Sequence, residues 1–386
     1  MSDRPENQHA AHASHERMSM PENHLDTVVS TNSIDTTKRA SMMTKIISVV
    51  LLPLFLISGF TIAYTTAQSA PKPHDMALTI AGPAATTKSI AAKIEDRSGS
   101  AFDVTRTTSA SEARKAVEQR DAVGAVIIDD DQVTTVTASA AGRIAVAPIQ
   151  EVGQQVAKEL GTTVKVVDVA PVTDEDTSGT ALFYFILLCT VGGYLSLTVI
   201  SQILPRARTR TMLATAAGAG VLAPIIGFAM ISIFVGDFGA TFGDIAAVIG
   251  IGMLYTFTVG LIATLYTRVL GQAAIFAVLI TLMFLNFPST GGSAPESMLP
   301  GFWQVIHNGW VGSGAFEATR SIVYFHGEQA GRWIGQLSIW TGSALLLTVL
   351  AGVAHSRKRA KLEAEEAANP GSTALSSDVA VVGGAM

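Results

Sequence analysis

Six stretches of the chain run without Asp, Glu, Lys or Arg: residues 46–71, 177–205, 211–236, 245–267, 269–295 and 333–354. Each holds an apolar run, such as ALFYFILLCTVGGYLSLTVI or IGQLSIWTGSALLLTVLAGV. A helix needs about 20 such residues to cross a bilayer core. The pattern therefore predicts six membrane-spanning helices. The charge-free gap between Glu296 and Glu317 differs, because Pro300, His307, Asn308 and several glycines interrupt it. It is read as part of an outer re-entrant loop, 288–333, with two short helices and with Trp303, Trp310, Tyr324 and Phe325 as interface aromatics.

Between the first two apolar runs the period changes. MALTIAG reads as a strand and SIAAKIEDRSG as a short helix with Ile90 and Ile94 four apart. FDVTRT is a second strand, and SEARKAVEQR a helix with Ser111 as its cap-like start. AVGAVIID and VTTVTASA are strands flanking the acidic turn Asp129–Asp131. IAVAPIQEVGQQVAKELG is a helix placing Ile149, Val152, Val156 and Leu160 on one face, and TVKVVDVAPV is the last strand. The order β-α-β-α-β-β-α-β predicts a small α/β domain. The fold class expected is an α-helical polytopic membrane protein with an extracytoplasmic α/β domain inserted between helices 1 and 2. Its parts are a disordered cytoplasmic tail 1–43, a first span 44–66, the α/β domain 67–179, a five-helix membrane domain 180–354 and a cytoplasmic tail 355–386.

Composition agrees. The 386 residues are 48% hydrophobic and 15% charged, against about 25% charged in soluble domains. A net charge of -5 points to no nucleic-acid partner. Basic residues set the orientation: Lys38, Arg39 and Lys45 precede the first span, Arg206, Arg208 and Arg210 separate spans two and three, Arg268 separates four and five, and Arg357, Lys358, Arg359 and Lys361 follow the last. All four clusters fall on one side, which places both termini in the cytoplasm of a cell membrane. Cys189 is the single cysteine, so no intrachain disulfide forms.

No phosphate-binding G-x-x-x-x-G-K-[ST] loop, zinc-protease H-E-x-x-H or G-x-S-x-G elbow occurs. No catalytic residue, cofactor or metal site is expected. His9, His12 and His15 lack a completing cysteine or carboxylate, and the Asp129–Asp131 turn lacks the spacing of a calcium loop. The six apolar runs hold no ionisable side chain of the kind that relays protons in self-powered transporters. They hold small residues instead: Ala219, Ala223 and Gly227 four apart, and Gly192, Gly193, Gly250 and Gly252. These suit close helix packing within the chain or a homodimer seam.

One span, an outer domain and five further spans resemble the membrane subunit of type-2 ABC exporters, and more narrowly the YhgE/Pip (phage infection protein) branch. DAVGAVIIDDD with VTTVTASAAG, VVDVAPVTDEDTSGTALFYFILLCTVGGYL, and NFPSTGGSAPESMLPGFWQVIHNGWVGSGAFEATRSIVYFHG carry the likeness. It implies a permease-like subunit that exports an amphiphilic or lipid-like compound with a separate ATPase. The alternative is a membrane scaffold or receptor whose outer domain binds a cell-envelope or phage partner. Under the first reading Arg206, Arg208 and Arg210 are the candidate ATPase contact. The likeness also places an Arg before the YF pair, here Arg320. In EATRSIVYF, Glu317 and Arg320 are three apart on a short helix and can pair. They are candidates for an outer-gate latch or a head-group contact, or Arg320 is an interface anchor whose stem snorkels to water.

Overall fold

The structure, a computed structural model, describes residues 50–204, 207–292 and 294–368. The tail 1–43, its three histidines, the basic residues before the first span, and Arg206 lie outside the described residues. The chain divides into a unit ending at Ile57 and a second unit running from Ser58 to the end. Of the first, the described part is the opening two turns of helix α1 (Val50–Gln68).

In the second unit, a five-stranded sheet comprises β1 (Met76–Ala81), β2 (Phe102–Thr107), β3 (Gly124–Ile128), β4 (Gln132–Thr137) and β5 (Thr163–Asp168). Its order is β2-β1-β3-β4-β5. All pairs are parallel except the β3–β4 hairpin, which turns at Asp129–Asp131. Helices α2 (Ala84–Ser98), α3 (Ala110–Glu118) and α4 (Val146–Leu160) make the crossovers that parallel strands require. The expected element order is thus present. One detail differs: α3 is capped by Ser109, not Ser111. The Ser109 hydroxyl accepts the Glu112 N–H, three residues on, while Ser111 bonds the Ser109 hydroxyl.

Small side chains set how closely the layers approach. A Cβ at Gly153 of α4 would collide with Thr135 of β4, and one at Gly124 would meet Ile149 at 2.6 Å. The face covered by α3 is rich in alanine, with Ile127 and Val136 as its larger strand side chains. Ala81, Ala125, Ala138 and Ala140 surround Ala113 and Val117, and into this shallow face inserts Phe325, from far along the chain.

The remaining long helices are α5 (Ala181–Ile203), α6 (Thr209–Val235), α7 (Phe242–Leu270) and α11 (Ala330–Ala368). With α1, five helices among the described residues are long and apolar enough to cross a membrane. This defines a polytopic, mostly helical membrane protein. The fifth predicted span is a shorter helical segment, α8 (Ala274–Thr290), of which Leu279–Leu285 is π-helical. At about 1.5 Å per residue it extends roughly 25 Å, below the 30 Å of a typical bilayer core. Gly271–Ala273 breaks it from α7. Beyond α8 come two short helices, α9 (Gly301–Gly309) and α10 (Val311–Tyr324).

The bundle packs through its small residues. Gly193 lies against Val259, Gly252 against Phe185 and Pro224, Gly260 against Ala216, and Gly192 against Ala223, so a methyl group at any of them would crowd the facing helix. Gly250 faces open space. Most of this small-residue pattern therefore serves contact within the chain. Inside, polar groups find one another: Thr190 donates to Ile186 O, so the Tyr255 hydroxyl donates to Thr190 and accepts from Asn286 Nδ2. Outward faces remain apolar, as at Ile226, Ile233, Phe234 and Leu346. Two contacts mark one end of the bundle: Arg268 Nη2 donates to Ala207 O at 2.5 Å, and Gly352 approaches Thr209. Residues 355–368, expected as a tail, continue helix α11.

Candidate functional site

Charge concentrates at the opposite end, where the α/β domain meets α10. Every residue of α10 from Val311 to Ser321 is buried. The small residues of VGSGA permit this: Gly312 lies under the Asn286 amide, and Gly314 lies 3.3 Å, measured from a Cβ position, from Trp333 O. A helix buried on all sides cannot send a charged side chain to water. Glu317 and Arg320, each 2% exposed, must be satisfied inside.

Glu317 lies between two guanidiniums. Arg320 Nη1 donates to Glu317 Oε1 at 2.8 Å, the pairing that the three-residue spacing predicts. The second cation comes from the α/β domain: Arg120 Nη2 donates to Glu317 Oε2 at 2.5 Å, and Arg120 Nη1 to the Ser321 hydroxyl at 2.6 Å. Burial raises the Glu317 carboxyl, but the attraction of Arg320, Arg120 and His307 outweighs it and holds the pKa at about 2. Arg320 is not a snorkelling anchor. Its guanidinium stacks 4.2 Å over the Phe316 ring and donates to Ala141 O at 2.9 Å and Gly292 O at 2.5 Å. The one side chain thereby ties together α10, the loop after α8 and the α/β domain. His307 of α9 completes the group. Its Nδ1 lies 2.7 Å from Ser289 O, a carbonyl that can only accept, so Nδ1 is protonated, and Nε2 lies 3.9 Å from Glu317 Oε1.

The backbone around this seam is strained. Among the described residues, the non-glycine residues with positive φ are Asp75, Arg120, Phe238, His326 and Gln329. Each such residue costs about 1–2 kcal/mol, and all five lie at or beside the seam. His74 N–H donates to Ser297 O, next to Asp75. Gln329 Nε2 donates to Gln119 O and Arg120 O. The Phe238 ring packs on Tyr324, and His326 follows Phe325 in the connection between α10 and α11. Phe325 is buried in the α/β domain, not held at a membrane interface. The alanine face leaves room for it, and the Arg120 guanidinium covers its ring at 5.0 Å.

Of the expected ATPase contacts, Arg208 and Arg210 are exposed at the start of α6. Ala207, just before them, accepts from Arg268. They are separated from the Glu317 cluster by the length of the bundle. Sequence reasoning found Glu317 and Arg320 but missed Arg120, His307 and Gln329. The string SAFDVTRTTSASEARKAVEQRDA offers no signal that distinguishes Arg120, just past the end of α3, from Arg114 or Lys115 within it.

Comparisons with protein-family models, curated proteins and solved structures found no match to this chain.

Proposed function

We propose that the chain is a permease-like membrane subunit that works with a separate ATPase to export an amphiphilic or lipid-like compound. In this reading it is related to the YhgE/Pip branch of type-2 ABC exporters. It crosses the membrane six times, keeps both termini in the cytoplasm and carries the α/β domain outside. The path of α8 supports six crossings. It starts close after Arg268, at the end marked by Ala207, and finishes beside Gly292, which bonds Arg320 at the other end.

The observation that carries the reading is the distribution of charge. Within the apolar spans of the long helices, Asp, Glu, Lys and Arg occupy only end turns, as Arg210, Asp244, Arg268 and Arg332 do, and α11 carries its other charges past the span, from Arg357 onward. A path lined this way has no proton relay of its own, so transport requires energy from a partner. Exposed Arg208 and Arg210 form the surface offered to that partner, and Arg206 precedes them in sequence.

The test is purification of the full chain from its native membrane in mild detergent. An ATPase should co-purify. Replacing Arg206, Arg208 and Arg210 by Gln should release it while leaving membrane orientation unchanged. Absence of any ATPase from the wild-type preparation, with substrate export unaffected by deletion of the chain, contradicts the reading.

A second reading, a scaffold or receptor whose outer domain binds an envelope partner, is favoured by a groove between α2 and α4. Its volume is about 280 Å³, Ile90, Ile94, Phe102 and Val152 line it, and Lys93 and Arg97 bridge to Glu159 beside it. Binding of envelope material by the full chain, lost on Ile94→Glu, would favour this reading over export.

A further inference from the structure

A cavity of about 450 Å³ lies in the seam between the α/β domain and the helices α9 to α11. Arg120, Arg320 and Glu317 contribute to its lining. Two guanidiniums face one carboxylate there, so the buried part of the lining carries one uncompensated positive charge. Such a charge away from water is costly until an anion offsets it. Unpartnered polar atoms point the same way. Trp333, 4% exposed, lines the cavity, and its indole N–H has no hydrogen-bond partner among the described residues; neither has the hydroxyl of Ser297, another lining residue. An indole N–H only donates, and guanidiniums only donate. The buried lining is therefore equipped for a group that accepts.

The accessible part has the opposite character. Asp75 and Asp121 are exposed and Glu296 is half-buried. One exposed cation, Arg332, accompanies them, and it is held by Asn308 Oδ1 and stacked over Trp333. A bare polyanion would meet repulsion at this mouth. A group with a positive charge a few bonds from its negative one would not. On the face of α9 turned away from the cavity-lining Gln304 and His307, Phe302 is 61% and Val305 73% exposed.

We propose that this cavity binds the zwitterionic head of an amphiphile, with its phosphate or carboxylate among Arg120, Arg320 and Trp333, its ammonium among Asp75, Asp121 and Glu296, and its tail outside the cavity. The inference rests on the export reading for the role of the ligand, and it gives that ligand a chemical class.

Binding is measurable without any ATPase. Purified full-length protein in detergent is titrated with phosphatidylethanolamine, phosphatidylglycerol and free phosphoethanolamine, and complexes are read by native mass spectrometry. Phosphatidylethanolamine should bind about tenfold more tightly than phosphatidylglycerol. Trp333→Phe keeps the ring and removes the N–H; it should weaken phosphatidylethanolamine binding about tenfold with unchanged thermal unfolding. The pair Asp75→Asn and Asp121→Asn should abolish the preference over phosphatidylglycerol. Free phosphoethanolamine binding as tightly as the lipid supports the site and makes a soluble zwitterion its ligand. Equal binding of the two lipids by the wild type, or wild-type behaviour of both variants, overturns the proposal. Failure here with an ATPase still co-purifying sinks the ligand assignment and leaves the export reading standing.

Discussion

Glu317 accepts from guanidiniums that enter from two parts of the fold, one a helical turn away and one from the α/β domain. Removing its charge strands both cations in a buried site, so Glu317→Gln should lower stability by about 3–5 kcal/mol. Arg320→Gln should cost a similar amount, because it also leaves Ala141 O and Gly292 O without their donor. The double variant should be scarcely worse than either single one, since each already breaks the shared contact. Thermal unfolding in detergent measures all three, and fully additive losses would refute the coupling. The pH dependence follows from the same geometry. The folded carboxyl titrates at about 2, below its ordinary value of 4.5. A lowered pKa contributes stability that is complete above 4.5 and is lost as pH falls towards 2. The contribution of Glu317 to the seam should therefore be complete from pH 8 to pH 5 and be lost only below about 4, as followed by hydrogen exchange at Arg120 and Gln329. The Glu317–Arg320 pair was legible because helical spacing alone brings the two side chains together. Arg120 was not, because only the folded sheet carries α3 to α10.

At the level of elements, the alanine-rich sheet face and Phe325 form a socket and plug. Phe325→Ala should leave a cavity and loosen the α/β domain by about 3–5 kcal/mol, seen as faster proteolysis between α4 and α5. An unchanged cleavage rate would mean that the seam is held by its ion pairs alone. A span covering only 70–176 would expose this face and should be less stable than the same domain in the full chain. In the bundle, a Cβ at Gly252 would lie 2.6 Å from the Phe185 ring and 2.9 Å from Pro224. Gly252→Ala should therefore cost about 1–3 kcal/mol by overpacking, read as a lowered unfolding temperature. The strands and helices of the α/β domain were readable because alternation and helical periodicity are local. The cap of α3 is Ser109 and not the expected Ser111, although Ser109 and Glu112 have capping-box spacing in the sequence. The π-helical turns of α8 were not readable: LITLMFL is as apolar as any span, and its winding is set by what it packs against. Nor was the burial of Phe325, since an aromatic next to an apolar helix suits a membrane interface equally well by sequence.

For the whole molecule, long charge-free runs made the membrane class plain, because a bilayer imposes length and apolarity on each crossing helix. Sidedness rests on basic residues and on the contacts that separate the two ends of the bundle. Cys189 is fully buried in α5, so introduced cysteines report without background from it. Ser98 ends α2 in the α/β domain, and Ser356 is exposed near the far end of α11. The measurement that bears most directly on the account is labelling of Ser98→Cys and Ser356→Cys by a membrane-impermeant thiol reagent in cells with an accessible envelope. The account predicts that position 98 reacts in intact cells and position 356 only after lysis. Labelling of position 356 from outside, or protection of position 98 until lysis, would contradict it.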